Sequence, residues 1–414
     1  MSPHRPRRRF LALTALAVTA VLVTTACGGP DEPTAAPPSG APAQSGAPVP
    51  SDSRTGSSPG GQVSSPEEHG SEAPADATGG GDPSTATGTV SPKPDQEPVT
   101  ISFVGDMHFE GELRSRLDDP RGALAPISGQ LAEADLTVAN LESAVGTGGD
   151  PEPKRYLFQA PPAAFDALAA AGVDVVTMAN NHAMDYGSAG LAETFDARRR
   201  AAAADPPLSV VGIGGDRDDA FAAAVHDVGG TTVAVIGAST PDDPTADPTE
   251  QWAATENRPG VAVALDPEPL LDAVEAAQRQ ADVVVVYMHW GVQGDACPSD
   301  SQTELATELA AAGADVVAGS HTHQLQGAGM LDSTYVAYGL GNFAWYTQSS
   351  EATSTTGVLT LTVADGHVTR ESWAPATIQP DGLPEFASGA RAERMREEFT
   401  ELRECTNLQP LNLP

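Results

Sequence analysis

Six stretches of this sequence place a potential metal ligand or polar catalytic group directly after an apolar run. Ile101 to Val104 leads into Gly105-Asp106-Met107-His108, and Leu136 to Ala139 leads into Asn140-Leu141-Glu142. Val175 to Ala179 runs into Asn180-Asn181-His182, with Asp185 three residues on. Val283 to Met288 precedes His289-Trp290-Gly291, Val316 to Gly319 precedes Ser320-His321-Thr322-His323, and Tyr335 to Gly339 precedes Leu340-Gly341-Asn342. Five of the nine histidines stand at such ends. A single histidine after a strand is usually a surface or capping residue, and Asp106 alone could be a helix N-cap. Six such ends in one chain imply a shared site. The chemistry fits the mixture: two divalent cations need several neutral imidazoles, a bridging carboxylate, and a position open to water or substrate. His-x-His at 321–323 and Asp-x-His at 106–108 would each put both side chains on one face of an extended segment, because side chains alternate there. Nitrogen and oxygen ligands without thiolate suit Mn, Fe or Zn, or Mg with water completing the shell.

Such groups must be held by a sheet, because ligands gather at the carboxyl ends of strands in α/β proteins. Runs rich in Val, Ile and Thr predict strands at 99–104, 136–139, 173–178, 209–213, 231–237, 282–288, 315–318, 334–338 and 357–363. Ala/Leu-rich amphipathic stretches predict helices near 122–134, 162–171, 187–204, 267–280, 299–312 and 390–404. The alternation indicates an α/β sheet protein. The strands at 334–338 and 357–363 follow without a helix between them, so the sheet is expected to be mixed. Asp365-Gly366 predicts a hairpin turn into a strand at 367–373. The acidic stretch 239–260 reads either as a surface insertion or as a loop covering the site.

The motif series Gly105-Asp106, Asn140-Leu141-Glu142, Ala179 to His182 with Asp185-Tyr186-Gly187, His289-Trp290-Gly291, Gly319 to His323 with Gln326, and Leu340 to Phe343 resembles that of the CapA family of capsule (poly-γ-glutamate) synthesis proteins. The resemblance covers about residues 99–375. It implies a calcineurin-like metallophosphatase fold, a sandwich of two mixed β-sheets flanked by helices. Carried over position by position, it implies one metal held by Asp106, His108, Glu142 and His323, and a second held by Glu142, Asn181, His289 and His321. His182 would be an acid or hydrogen-bond donor that holds no metal, oriented by Asp185. Asn180, Gln326 and Asn342 would line the site. This chain departs from the phosphoesterases in carrying Glu142 where they bridge through Asp.

The rest of the chain bounds where such a site would work. The formal charge is −34, and residues 1–26 contribute four arginines and no acids. An acidic surface of this kind repels nucleic acid and anionic headgroups, so no nucleic-acid partner is expected. Residues 1–26 read as an export signal: a basic start, the apolar stretch Phe10 to Val23, and small residues before Cys27. Cys27 is the expected lipidation site, anchoring the protein to the outer face of the cell membrane. Residues 27–97, rich in Gly, Pro, Ser, Ala and Thr, cannot bury enough apolar surface to offset their ordering entropy and read as a disordered tether. The main domain is expected over 98–385, with a C-terminal helix and tail over 386–414. In an oxidising compartment the remaining cysteines, Cys297 and Cys405, could pair as a disulfide or remain as two thiols.

Two functions follow as expectations. One is a dinuclear metal-dependent hydrolase acting in capsule or poly-γ-glutamate biosynthesis or export. The other is a non-catalytic protein that binds or hands on a cell-surface polyanionic polymer, alone or with its synthesis machinery. A solute-binding lipoprotein would share the anchor but has no need of five histidines at strand ends.

Overall fold

The computed structural model describes residues 97–241, 249–346 and 349–411. The expected signal peptide, lipidated Cys27 and tether lie outside the described residues, as does most of the acidic part of the 239–260 stretch. Among the described residues no helix is long and apolar enough to cross a membrane.

Two mixed sheets carry the structure. The first runs, in spatial order, Pro384–Phe386, His367–Ile378, Thr355–Ala364, Val99–Met107, Leu136–Leu141, Val175–Thr177 and Ser209–Val211, with Asn342–Ala344 pairing beside the end of Val99–Met107. The second runs Ala328–Leu331, Thr334–Ala337, Val316–Ser320, Val283–Gly291, Thr231–Pro241 and Ala224–Val228. The middle strands of each sheet are parallel, which explains their unbroken apolar sequences: both faces are covered. One set of side chains, including Ile101, Phe103, Val138, Val175, Val233, Val235, Val283 and Val285, packs in a single cluster shared by the two sheets. Their chain neighbours Ala139, Val176, Ala234, Val284 and Val286 join a second cluster with helix residues such as Phe165, Leu168, Leu270 and Leu305. Each fully buried Val, Leu, Ile or Phe side chain among them contributes about 1.5–3 kcal/mol. Tyr287 ties the sheets together by donating its hydroxyl to the Val104 carbonyl at 2.7 Å.

The sequence underestimates three strands at their carboxyl ends. Val99–Met107, Thr231–Pro241 and Val283–Gly291 run three residues or more past the predicted limits. Parallel neighbours extend them: Asp106 pairs in register with Asn140 and Asn342, and His289 with Ser239 and Ser320. Asp106, Asn140, His289 and Asn342 therefore stand on paired backbone, and the other candidate residues follow just beyond the strand ends. Gly105 permits this crowding, since a Cβ there would fall 1.9 Å from the Gly341 carbonyl oxygen.

The helices form where predicted, within a few residues. Asp300–Ala312 starts at a capping box in which Ser299 and Gln302 satisfy each other's backbone N–H groups, and ends at Gly313 with φ 103°. The predicted 390–404 helix is α-helical over Gly389–Glu401 and tightens to a 3-10 turn over Leu402–Cys405. A second 3-10 helix, Gly111–Asp118, had no apolar periodicity to announce it.

Candidate metal centre

The parallel strand ends of both sheets meet at one buried polar cluster. Asp106, Asn140, Glu142, Asn180, Asn181, His182, Asp185, His289, His321 and Asn342 are all buried. Two groups of ligand-type atoms lie within 4.8 Å of one another: Glu142 with His289 and His321, and Asp106 with Glu142 and His323. Glu142 belongs to both. Asn181 joins the first group through its side-chain oxygen, 2.8 Å from His289 Nε2. His321 Nδ1 is 3.0 Å from the same nitrogen. Asp106 accepts from Asn140 Nδ2 at 2.8 Å and from the His321 backbone N–H at 3.1 Å, so both its oxygens are held by the framework. His323 Nδ1 sits 2.9 Å from Asn342 Oδ1 and 3.3 Å from Asp106 Oδ2.

Glu142 is different. Both of its carboxylate oxygens are buried and have no hydrogen-bond partner among the described residues, and the nearest ring nitrogens, those of His182 and His289, stand 3.7 Å away. A buried carboxylate without partners costs several kcal/mol or more. Burial first, and then the Asp106 charge, push its pKa well above the ordinary carboxylate range. Burial would lower His323, but the Glu142 and Asp106 charges and the bonds to Asp106 and Asn342 lift it to about 9. Burial opposes ionisation of Asp106, yet its bond to His323 and the nearby His289 hold it below the usual range. His289 is driven well below its ordinary pKa by burial and by His321, leaving it the neutral imidazole that a metal needs. Glu142 and His323 thus favour their protonated forms in a space lined by imidazoles, and the donor set of carboxylate oxygens, imidazole nitrogens and an amide oxygen fits divalent cations there.

His182 forms the wall. Its Nδ1 lies 2.5 Å from Asp185 Oδ2 and its Nε2 faces Glu142 Oε1. The Phe158 ring stacks on it at 4.1 Å. Asn180 positions this segment, donating to the Asn140 side chain at 3.0 Å and the Leu141 carbonyl at 2.9 Å while accepting the His182 N–H at 3.0 Å.

Three expectations change. His108 lies in neither ligand group. Its Nδ1 accepts the Glu110 backbone N–H at 2.9 Å, and its ring is enclosed by Trp345, Tyr346 and Phe158 at centroid distances of 4.1, 4.6 and 4.9 Å. It follows the strand end at Met107, where alternation no longer fixes direction. Gln326 does not line the cluster: its amide donates to the Asp295 and Cys297 carbonyls at 3.0 Å each and accepts from Gln302 at 2.9 Å, pinning the loop after the His289 strand. His-x-His is not extended either, since His321 and His323 have φ of 96° and 57°. Non-glycine residues held there cost about 1–3 kcal/mol each, and the turn they make sends one imidazole into each group. Cys297 and Cys405 are joined as a disulfide beside the loop that Gln326 pins.

Sequence reasoning missed Lys154, whose Nζ donates to Asp185 Oδ1 at 2.7 Å and to the Asn181 carbonyl. It missed the role of Asn140, which bonds Asp106 and lies 3.3 Å from His289 Nδ1. It also missed the aromatic group of Phe158, Trp345 and Tyr346, which no motif marks. A surface hollow of about 610 Å³ between Arg217 and Gln280 contains none of these residues.

Residues 100–347 match the family model described as bacterial capsule synthesis protein PGA_cap. The chain is similar to the PGA biosynthesis protein CapA of Bacillus subtilis, 31% identical over 256 residues covering 60% of this chain and 63% of that protein. It is 28% identical to the capsule biosynthesis protein CapA of Bacillus anthracis over 306 residues, 72% of this chain and 71% of that one. The chain thus spans just under two thirds of the Bacillus subtilis relative. Among solved structures, a novel phosphatase from Mycoplasma pneumoniae aligns with 72% of this chain and 97% of its own at 12% identity and a TM-score of 0.41, a likeness that fixes neither fold nor activity. With three fifths of its length matched by the family model, the chain belongs to the bacterial capsule synthesis protein PGA_cap family.

Proposed function

We propose that this protein is a lipid-anchored, extracytoplasmic, metal-dependent hydrolase of the phosphoesterase type that serves capsule or poly-γ-glutamate synthesis or export. The observation that carries the reading is Glu142, a fully buried carboxylate with two unpartnered oxygens, shared by two ligand groups. The names of the Bacillus relatives support the polymer context.

In this reading Asp106, Glu142 and His323 hold one divalent cation, and Glu142, Asn181, His289 and His321 hold another. Such ions supply Lewis acidity and a nucleophile from water near neutral pH. The chain's own residues do the rest. Asn140 and the His321 N–H fix Asp106, so the ligand does not have to reorganise. Asp185 fixes one ring nitrogen of His182, leaving Nε2 directed at the cluster, where the ring, when doubly protonated, can give its Nε2 proton to a departing oxygen and return to the neutral form. Phe158 and Trp345 exclude bulk water from that side, which strengthens every charge interaction inside. Cys27 holds the domain at the membrane surface.

The test is hydrolysis of an activated phosphodiester by the purified protein with Mn²⁺, Zn²⁺ or Mg²⁺ added after chelation. Metal-restored turnover supports the reading. No turnover with any of these ions, together with His182→Ala still supporting polymer assembly in cells, would replace it with non-catalytic polymer binding or transfer.

A further inference from the structure

We infer that Lys154 is a positioning residue of this centre: one ammonium, held against both the Asn181 carbonyl and the Asp185 carboxylate, fixes the metal-ligand loop and the His182 ring together. The inference rests on the proposed metal site and adds a residue that neither the motif series nor the ligand groups contain.

The sequence makes Lys154 singular. The chain has twenty arginines and two lysines, and Lys154 is the one lysine after Lys93. It sits in a proline-containing loop, where a solvated cation would be unremarkable, but its side chain is only 12% exposed. Its three donors have distinct uses. One meets Asp185 Oδ1 at 2.7 Å and one meets the Asn181 carbonyl. The ammonium also lies 4.8 Å above the centre of the buried Trp252 ring, a cation–π placement. A compact tetrahedral ammonium can serve three directions at once; a planar guanidinium presents its donors in a fixed fork. That difference gives a physical reason for lysine here in a chain that uses arginine nearly everywhere else.

The two groups that Lys154 joins belong to different parts of the site. Asn181 offers its side-chain oxygen to the His289 group, and Lys154 holds the same residue from behind by its carbonyl. Asp185 is fully buried. Its Oδ2 is taken by His182 Nδ1 and by the Phe158 N–H at 2.7 Å, and among the described residues Oδ1 has Lys154 as its donor. The loop that brings the lysine is stitched to the same residue, since the Glu152 N–H donates to the Asp185 carbonyl at 2.8 Å. Without the ammonium, Asp185 would be left buried with two of its three side-chain bonds and Oδ1 without a donor, and the Asn181 carbonyl would lose its donor. Both consequences act through other residues, so Lys154 touches no reacting atom.

The experiment compares Lys154→Met, Lys154→Arg, His182→Ala and the Lys154→Met/His182→Ala double variant in the full chain. Three readings are taken: Mn²⁺ affinity, the low-field proton resonance of the hydrogen-bonded imidazole that His182→Ala removes, and turnover of an activated phosphodiester at saturating Mn²⁺. Lys154→Met is expected to shift or broaden that resonance away, to weaken Mn²⁺ several-fold, and to lower kcat at least about tenfold with KM within about threefold. In the His182→Ala background the same change should cost less than about twofold in kcat, because the two residues act as a unit. An equal loss in both backgrounds, or an unchanged resonance with unchanged Mn²⁺ affinity, overturns the inference. If Lys154→Met does not fold, Lys154→Arg, which keeps the charge but not the shape, carries the same comparison. If the wild-type protein has no turnover, the hydrolase reading fails, and the resonance and Mn²⁺ affinity alone decide the role of Lys154.

Discussion

His182 and His108 both pack against the Phe158 ring, at centroid distances of 4.1 and 4.9 Å, and differ in what surrounds them. The His182 side is polar and charged: Asp185, Lys154 and Asn180 fix the ring, and its free nitrogen faces Glu142. The His108 side is aromatic, with Trp345 and Tyr346 closing on the ring and a backbone N–H taking Nδ1. Both histidines are buried, and burial lowers the pKa of each. Burial alone therefore does not mark a chemical residue. The difference lies in whether the second ring nitrogen is directed at an unsatisfied partner. The same lesson applies to the hollow between Arg217 and Gln280, which has volume but, among the described residues, no group of ligand atoms close enough to share a metal.

That comparison can be broken by substitution. The largest effect is expected at Glu142, where Glu142→Ala removes the carboxylate shared by both ligand groups. It should abolish tight binding of both proposed ions and with them at least about a thousandfold of turnover, since on the proposed reading the ions would supply the nucleophile; elemental analysis and phosphodiester kinetics measure this. His182→Ala should keep metal and fold while turnover falls roughly a hundredfold, the usual range for general acid catalysis, read by the same two assays. A variant that loses metal as well would make His182 a ligand. His108→Phe should keep metal affinity and turnover within about threefold, because it replaces one ring by another among Phe158, Trp345 and Tyr346 and removes no member of either ligand group. A loss of one ion in this variant would return His108 to the ligand set.

A smaller effect, and one confined to stability, is expected on the flank that Gln326 pins. Cys297 and Cys405 close a loop of 108 residues, so the double Cys→Ser variant should lose about 2–4 kcal/mol of unfolding free energy while binding metal as before. Denaturant melts with and without reductant check it. Metal loss in that variant would show that the 295–297 loop shapes the centre.

Much of the framework was legible because apolar runs such as Val283 to Met288 are buried on both faces and announce themselves. Their polar ends, Asp106, Glu142, Asn181, His289, His321 and His323, could be picked out because a charged or imidazole side chain directly after such a run has few reasons to be there. The failures share a cause. Asp-x-His at 106–108 and His-x-His at 321–323 were read with strand alternation, but backbone geometry beyond a strand end follows local turns, which spacing does not encode. Gln326 looked like a site residue by its place in a motif and instead bonds loop carbonyls that no linear pattern connects to it. Lys154 lies in a loop without periodicity; its rarity in the chain was the one available signal. The register that extends Val283–Gly291 beyond prediction depends on neighbouring strands distant in sequence.

The central claim is that Glu142 lies between two cation positions, and metal stoichiometry tests it most directly. After chelation and reconstitution, elemental analysis of the purified wild-type protein should give between one and two divalent ions per chain, falling to near zero in Glu142→Ala. A wild-type value below about 0.2 ion per chain, or a Glu142→Ala protein that binds as much metal as the wild type, would contradict the account.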